Sequence, residues 1–379
     1  MLPSVSSHTR EAAGPRPGRA GPKAYFDHAS VGLLTPGARR RAGEALDLQA
    51  VAGSQGAPEW NALVGSARAR AARLIGAAPA EISFAKNTPE AISRVAAELR
   101  WQPGDTVVVP DCEFPANVYP WLNLARRGVD VRWARSQRGV VTLEALERAI
   151  DERTRLVAVS WVQFASGARL DLEALAVLCA SRGVLLLVDA IQGLGVVPLD
   201  VRKTPLDFLA TSSHKWLGAP LGAGWLYTRA ERLADLDLVE VGQGTVERCG
   251  RFTDYALEPL PDARRFESGV VSVASLAGFD GALEDLEQIG IEAVHAAVRA
   301  LTQPLMEGLE RRGHQVVTPR PEAERAGIVS FAPRHGDADA FVARLRDHGC
   351  VAAAREGWVR LALHVSNSRD EVEQLLGAA

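Results

Sequence analysis

The stretch GVLLLVDAIQGLGVVPLD (residues 183–200), continued by VRKTPLDFLATSSHKWLGAPLGAG (residues 201–224), decides the fold. An unbroken apolar run from Val184 to Val188 is closed by Asp189. Short apolar runs of this kind fit strands buried on both faces, as in parallel sheets. Asp189 then stands at the carboxyl end of its strand, where open α/β sheets bind ligands. The second part repeats the plan: Asp207 to Ala210 reads as a short strand, with Ser212, Ser213, His214 and Lys215 at its end. Two neighbouring strand ends thus offer a carboxylate, hydroxyls, an imidazole and an amine to one crevice.

Lys215 stands out by composition. Only four of the 43 basic residues are lysines (Lys23, Lys86, Lys203 and Lys215), so positive charge is supplied almost wholly as Arg. Arginine stays protonated, whereas a partly buried lysine sheds its proton and forms Schiff bases.

The residues Asp189-Ala190-Ile191-Gln192 and Ser212-Ser213-His214-Lys215 resemble the Asp-x-x-Gln and Ser-x-His-Lys pattern of the class V aminotransferases. These are fold-type I enzymes that use pyridoxal 5'-phosphate, cysteine desulfurases and selenocysteine lyases among them. The resemblance implies that Lys215 holds the cofactor as an internal aldimine and later moves the substrate's α-proton. It implies that Asp189 pairs with the pyridinium nitrogen and keeps the ring an electron sink. Gln192 is expected at the ring hydroxyl, and Ser212 and His214 at the phosphate.

Earlier in the chain, Ala24 to Pro36 leads into a helix through about residue 50, with Thr35 as cap and Pro36 in its first turn. By resemblance this segment lines the substrate pocket, with Ser30 and Val31 as candidates, while His28 reads as structural. After a strand at 81–84, Thr88 is expected to cap a helix that has Pro89 at its first position. A helix start is an anion site, and the family binds the phosphate there, so Asn87 and Thr88 are cofactor candidates. Asn87 and Pro89 replace the family's glycine and second threonine.

The strand 105–110 leads to Phe114, which the resemblance places against the cofactor ring; many cysteine desulfurases carry His there. The strand 156–161 leads to Gln163, a candidate for the ring hydroxyl or the substrate. Arg264 to Gly269 resembles the family's Arg-Phe-Glu-x-Gly, with Val270 in place of a threonine that reaches the neighbouring subunit's phosphate. Near the end, Trp358 to Asn367 resembles the motif whose arginine holds the substrate α-carboxylate, making Arg360 the candidate and Arg355 a second.

The βαβ alternation predicts an α/β large domain with a mostly parallel sheet flanked by helices, followed by a small α+β domain. The expected organisation is a disordered tail over 1–24, an N-terminal segment joining the small domain over 25–60, a large cofactor domain over 61–270, and linking helices with the small domain over 271–379. A net charge of −3 offers no basic field for nucleic acid or anionic membrane. Cys112, Cys179, Cys249 and Cys350 are far apart without metal spacing, which predicts no metal and reduced thiols in a cytoplasmic protein. Asp189 interrupts the most apolar stretch, so no membrane span is expected. Arg39 to Arg41 read as a solvated face.

The expected activity is that of a pyridoxal-phosphate enzyme on an α-amino acid, an aminotransferase or a β-eliminating lyase, in a homodimer as the family implies. A desulfurase-like enzyme or racemase is the alternative, and a catalytically silent binding protein the alternative of another class. The family's mobile sulfur-accepting cysteine has no counterpart in the short loop 351–357.

Overall fold

A computed structural model describes residues 24–247, 253 and 255–379. The strands are β1 (Ala24–Tyr25), β2 (Ile82–Ala85), β3 (Thr106–Pro110), β4 (Asp130–Ala134), β5 (Thr154–Ser160), β6 (Leu185–Asp189), β7 (Phe208–Ser212), β8 (Gly224–Thr228), β9 (Gln315–Val316), β10 (Ile328–Ala332), β11 (Cys350–Val351), β12 (Ala353–Arg355) and β13 (Trp358–Ala362). The helices are α1 (Pro36–Ala52), α2 (Ala57–Ile75), α3 (Thr88–Glu98), α4 (Tyr119–Leu122), α5 (Leu143–Ala149), α6 (Leu172–Ser181), α7 (Val273–Ile289), α8 (Ile291–Arg311), α9 (Ala338–Asp347) and α10 (Arg369–Ala378).

Seven strands form the large sheet in the order β2-β8-β7-β6-β5-β3-β4. β4, β3, β5, β6 and β7 run parallel, and β8 lies antiparallel to both β7 and β2. The apolar run that defines β6 has a direct cause. Leu186 and Val188 enter the core on one face of the sheet, while Leu185 and Leu187 enter the core on the other. With helices on both sides there is no face for a polar residue until the strand ends at Asp189. Helix α3 packs through Ala91, Ile92 and Val95 on the β6 Leu185 side, and α2 through Ala67, Ala71 and Ile75 on the opposite side.

The small domain is an antiparallel sheet, β12-β13-β10-β9. Its core takes Val329, Phe331, Leu361, Leu305 and Phe341, and also Ala24 and Phe26 from the N-terminal segment. β1 joins β11 in parallel, Ala24 opposite Cys350. Ala24 is therefore buried strand at the edge of the expected tail, and the rest of that tail lies outside the described residues, as does Cys249. The boundary read between residues 60 and 61 falls inside α2.

Two local expectations change. Arg41 is no solvated charge: with Arg70 it pairs to Asp280, which is fully buried in α7, and it also binds Glu284. And Asn87, not Thr88, caps α3, because its side-chain oxygen accepts the Glu90 N–H at 2.9 Å. Thr88 is the first helical residue, and its hydroxyl is drawn to Ser212 instead. Thr35 caps α1 as read, accepting the Ala38 N–H at 3.1 Å.

Candidate active site

β3, β5, β6 and β7 are parallel, so their carboxyl ends share one edge of the sheet, and the segments that leave them carry Phe114, Gln163, Asp189 and Lys215. The N-terminal segment closes over this edge. The Gly32 N–H donates to the His214 carbonyl at 2.7 Å, and a Cβ on Gly32 would lie 1.9 Å from the Lys215 carbonyl oxygen. Only glycine permits that approach.

Lys215 Nζ lies 5.8 Å from the centre of the Phe114 ring, which is 44% exposed, an unusual position for a phenylalanine without a partner. Phe164 braces this ring edge-on, with centroids 5.2 Å apart. Burial pulls the Lys215 amine down to about 8, against the opposing pull of Asp189. Burial likewise pushes the Asp189 carboxyl up to about 7, a rise that nearby Glu113 adds to and the Ile191 N–H and Lys215 offset. Desolvation thus outweighs mutual attraction for both groups, and the amine gives up its proton far more readily than an exposed lysine does. His214 is lowered to about 4 by burial and then by Lys215, so its imidazole is neutral.

Ser212 Oγ accepts the Thr88 N–H at 2.7 Å and lies 2.9 Å from Thr88 Oγ1. With Pro89 lacking an N–H and the Glu90 N–H taken by Asn87, the first turn of α3 spends its donors on its own chain. Two hydroxyls hold two protons, however. One proton bridges Ser212 and Thr88, and the other is left to donate to an anion.

Arg360, Ser30 and Arg355, read separately from the sequence, come together. Arg360 is 2% exposed and donates to Ser30 Oγ at 2.7 Å, to the Phe164 carbonyl at 2.9 Å and to Asp27 Oδ1 at 3.2 Å. Arg355 reaches the same Ser30 hydroxyl at 3.2 Å. The Arg360 Nε–H is buried with no partner among the described residues, a donor held for an acceptor yet to arrive. Arg360 and Arg355 both depress the Lys215 pKa while Asp27 raises it, so the cluster faces the amine.

Gln192 spends its amide oxygen on Trp216 Nε1 at 2.9 Å and one N–H on the Ala29 carbonyl at 3.1 Å, leaving one N–H. It ties the N-terminal segment to the Lys215 loop. Beneath that loop His28 stacks on His364 at 4.7 Å, and burial is the main cause lowering both pKa values. Gln163 donates to the buried carboxylate of Glu113 at 2.9 Å, and its own oxygen has no partner among the described residues.

Sequence reasoning missed Asp27, Glu113 and Trp216. For Asp27 no local signal existed: a buried guanidinium needs a carboxylate nearby, but the burial of Arg360 is seen only in the fold. Val31 lies exposed at the rim.

Pyridoxal phosphate fits these residues. A depressed amine stands beside an exposed aromatic face, a buried carboxylate accepts a single hydrogen bond among the described residues, and Ser212 and Thr88 hold a hydroxyl proton to spare. No group of His, Cys, Asp and Glu among the described residues has the geometry to hold a metal.

A family model described as aminotransferase class-V matches residues 50–375. The chain is 34% identical, over 82% of its length and 81% of the relative's, to a probable cysteine desulfurase of Methanothermobacter thermautotrophicus. Among solved structures, a cysteine desulfurase from Thermococcus onnurineus matches with a TM-score of 0.84 at 28% identity, covering 93% of each chain. A cystine C–S lyase complexed with cysteine persulfide shares the fold, with a TM-score of 0.88 at 23% identity, over 93% of this chain and 96% of that one.

Proposed function

The chain belongs to the aminotransferase class-V family and is a pyridoxal-phosphate enzyme acting on an α-amino acid, and from that premise we propose that it is a β-eliminating lyase. Its substrate carries a sulfur leaving group, which departs without an acceptor thiol on the protein. The observation that carries this reading is the β12–β13 hairpin, where the family's mobile cysteine has no room. Arg355 and Trp358 pair across a two-residue turn, Glu356 and Gly357, both with positive φ. A turn this tight has no slack to swing a thiol to the amine. Cys350, at the base of the hairpin, is fully buried.

When bound, the cofactor supplies an electron sink for the pair left at the substrate's α-carbon. The chain's residues do the rest. Arg360, with its unpartnered Nε–H, and Arg355 grip the α-carboxylate and fix the α-carbon beside Lys215. The amine takes the α-proton, for which a pKa of about 8 suits it. Phe114, its ring centre 5.8 Å from Lys215 Nζ, would cover the cofactor ring and has no proton to give. Without an acid at the Phe114 position, the site favours a leaving group that is stable as an anion, which suits a thiolate, whose acid has a pKa near 8.5, far better than hydroxide or an amine.

We further propose a homodimer, with the exposed apolar side chains Leu33, Phe114, Leu221 and Val270, on segments around the site, covered by a second copy. A cytoplasmic setting fits Cys112 and Cys179, thiols that burial pushes up to about 12. No helix among the described residues is long and apolar enough to cross a membrane.

The test is a half-reaction: cofactor-loaded protein and a panel of β-substituted and plain amino acids, followed by chromatography of products and released cofactor. A lyase yields pyruvate and ammonia from cysteine-type substrates and leaves the cofactor as the aldehyde. Accumulation of pyridoxamine phosphate with a matching keto acid replaces this reading with an aminotransferase. A variant with Cys112, Cys179, Cys249 and Cys350 all changed to Ala keeps kcat within about twofold, because no thiolate of the protein takes part in the reaction. Loss of sulfur release in that variant, with the fold intact, restores the persulfide route.

Arg360→Lys is expected to raise KM about 10²-fold with a smaller change in kcat. A point charge replaces a planar fork, and charge-assisted bonds of this kind each contribute about 1.5–3 kcal/mol. Initial-rate kinetics on the best panel substrate read the split, and an unchanged KM removes Arg360 from the carboxylate site.

A further inference from the structure

We infer that Glu113 is a positioning residue of this site: it turns the Gln163 amide so that the oxygen faces the reacting groups and receives an N–H or O–H donor there. The inference rests on the reading of this cleft as the cofactor and substrate site.

Glu113 lies between β3 and Phe114, almost wholly buried, and its carboxylate gathers four donors. These are the Ser160 N–H at 2.7 Å, the Ser160 hydroxyl, Gln163 Nε2 at 2.9 Å and Asn117 Nδ2 at 3.1 Å. Burial raises the Glu113 pKa, and the four partners oppose that rise by donating to the group, so in this arrangement it acts as an acceptor. That fixes the amides around it. Asn117 must point its nitrogen at Glu113, and its oxygen then accepts the Trp121 indole N–H at 3.0 Å, a group that can only donate. The same logic leaves Gln163 one orientation, nitrogen toward Glu113 and oxygen away from it.

That oxygen is buried and has no partner among the described residues, a state native proteins rarely leave unmet. Gln163 itself is 2% exposed and follows the carboxyl end of β5, between the β3 and β6 ends that carry Phe114 and Asp189. Its neighbour Phe164 touches Phe114 with its ring and Arg360 with its carbonyl. The missing partner is therefore a donor that arrives with the ligand: a hydroxyl of the cofactor or the ammonium of the substrate. Gln192 supplies the opposite polarity. Its oxygen is held by the Trp216 indole, so only N–H remains to offer.

The test is a double-mutant cycle on the cofactor-loaded protein with Glu113→Asp, Gln163→Met and the pair. Glu113→Asp keeps the charge but withdraws it from Gln163. The readouts are the absorption maximum and dissociation constant of the bound cofactor, KM for the amino acid, and the melting midpoint. Each single variant is expected to weaken one binding constant about tenfold, the worth of one buried hydrogen bond left unmade. The pair is expected to be no worse than Gln163→Met, because Glu113 acts through Gln163. A shifted cofactor spectrum assigns the donor to the cofactor hydroxyl, and a raised KM with an unchanged spectrum assigns it to the substrate amine. A purely structural Glu113 lowers the melting midpoint and multiplies its binding loss onto Gln163→Met, and that result overturns the inference. If Glu113→Asp does not fold, Gln163→Met alone decides, since unchanged spectrum, affinity and KM also overturn it. A wild-type protein that takes up no cofactor fails earlier, and fails the site reading itself.

Discussion

Changing Lys215 to Ala is expected to lower turnover by about 10⁴-fold or more while the chain stays folded. The amine lies against the Phe114 face, and its pKa of about 8 suits it to take and return a proton near neutral pH. His214 is held neutral down to about 4, and Phe114 has no proton to offer. Asp189 sits at the end of β6, where its carboxylate accepts the Ile191 N–H. No neighbour can therefore inherit the task. The fold should tolerate the change, because burying the amine is itself unfavourable, as its depressed pKa shows. Steady-state rates with the best panel substrate, and circular dichroism of the same sample, make the comparison. Added methylamine should restore part of the rate by entering the space vacated beside Phe114. A fully active Lys215→Ala protein sinks the assignment.

Asp189→Asn separates chemistry from stability in the opposite sense. Turnover should fall about 10²–10⁴-fold, the range for loss of a positioned ionisable group, since an amide cannot balance a protonated ring nitrogen. The apo protein should become more stable above neutral pH. The sign follows from linkage. Burial raises the folded-state pKa of Asp189 from 3.8 to about 7, so the folded chain holds this proton more tightly than the unfolded chain does. The carboxyl's contribution is then most favourable below pH 3.8 and is lost as pH rises through about 7. Asparagine carries no such loss and keeps an oxygen for the Ile191 N–H. Urea titrations of both apo proteins at pH 5 and pH 8 read this directly. The variant's advantage should appear at pH 8 and shrink at pH 5. Equal stabilities at both would mean that Asp189 is not desolvated as the structure has it.

How much of this was legible in the sequence depends on where each partner lies in the chain. Asp189 and Lys215 each end a strand whose apolar pattern announces burial on both faces, so both position and setting could be read locally. Phe114 and Gln163 were singled out by resemblance, each just past the end of a strand, β3 and β5. Arg360, Ser30 and Arg355 were found one at a time by resemblance, but their convergence was not visible. Asp27 meets Arg360 across 333 residues, and no local pattern encodes a contact of that kind. The cap of α3 shows the limit at the smallest scale. Asn87 and Thr88 are both good caps, and the choice is made by Ser212, 124 residues further on, which draws off the Thr88 hydroxyl. Glu113 was overlooked because a lone acidic residue beside a strand end looks solvated until its four donors are seen around it.

The pairing of β1 with β11 has a consequence in time. On the ribosome Asp27 emerges 333 residues before its partner Arg360, and the flanking strand β1 waits likewise for Cys350 and Val351. At about 5–20 residues per second, the wait is tens of seconds. During it the central sheet can form from nearby strands, while Lys215 stands at an edge whose arginine gate does not yet exist. The nascent chain therefore acquires its architecture well before its site is complete, and a prematurely released fragment holds Lys215 without Arg355 and Arg360 beside it.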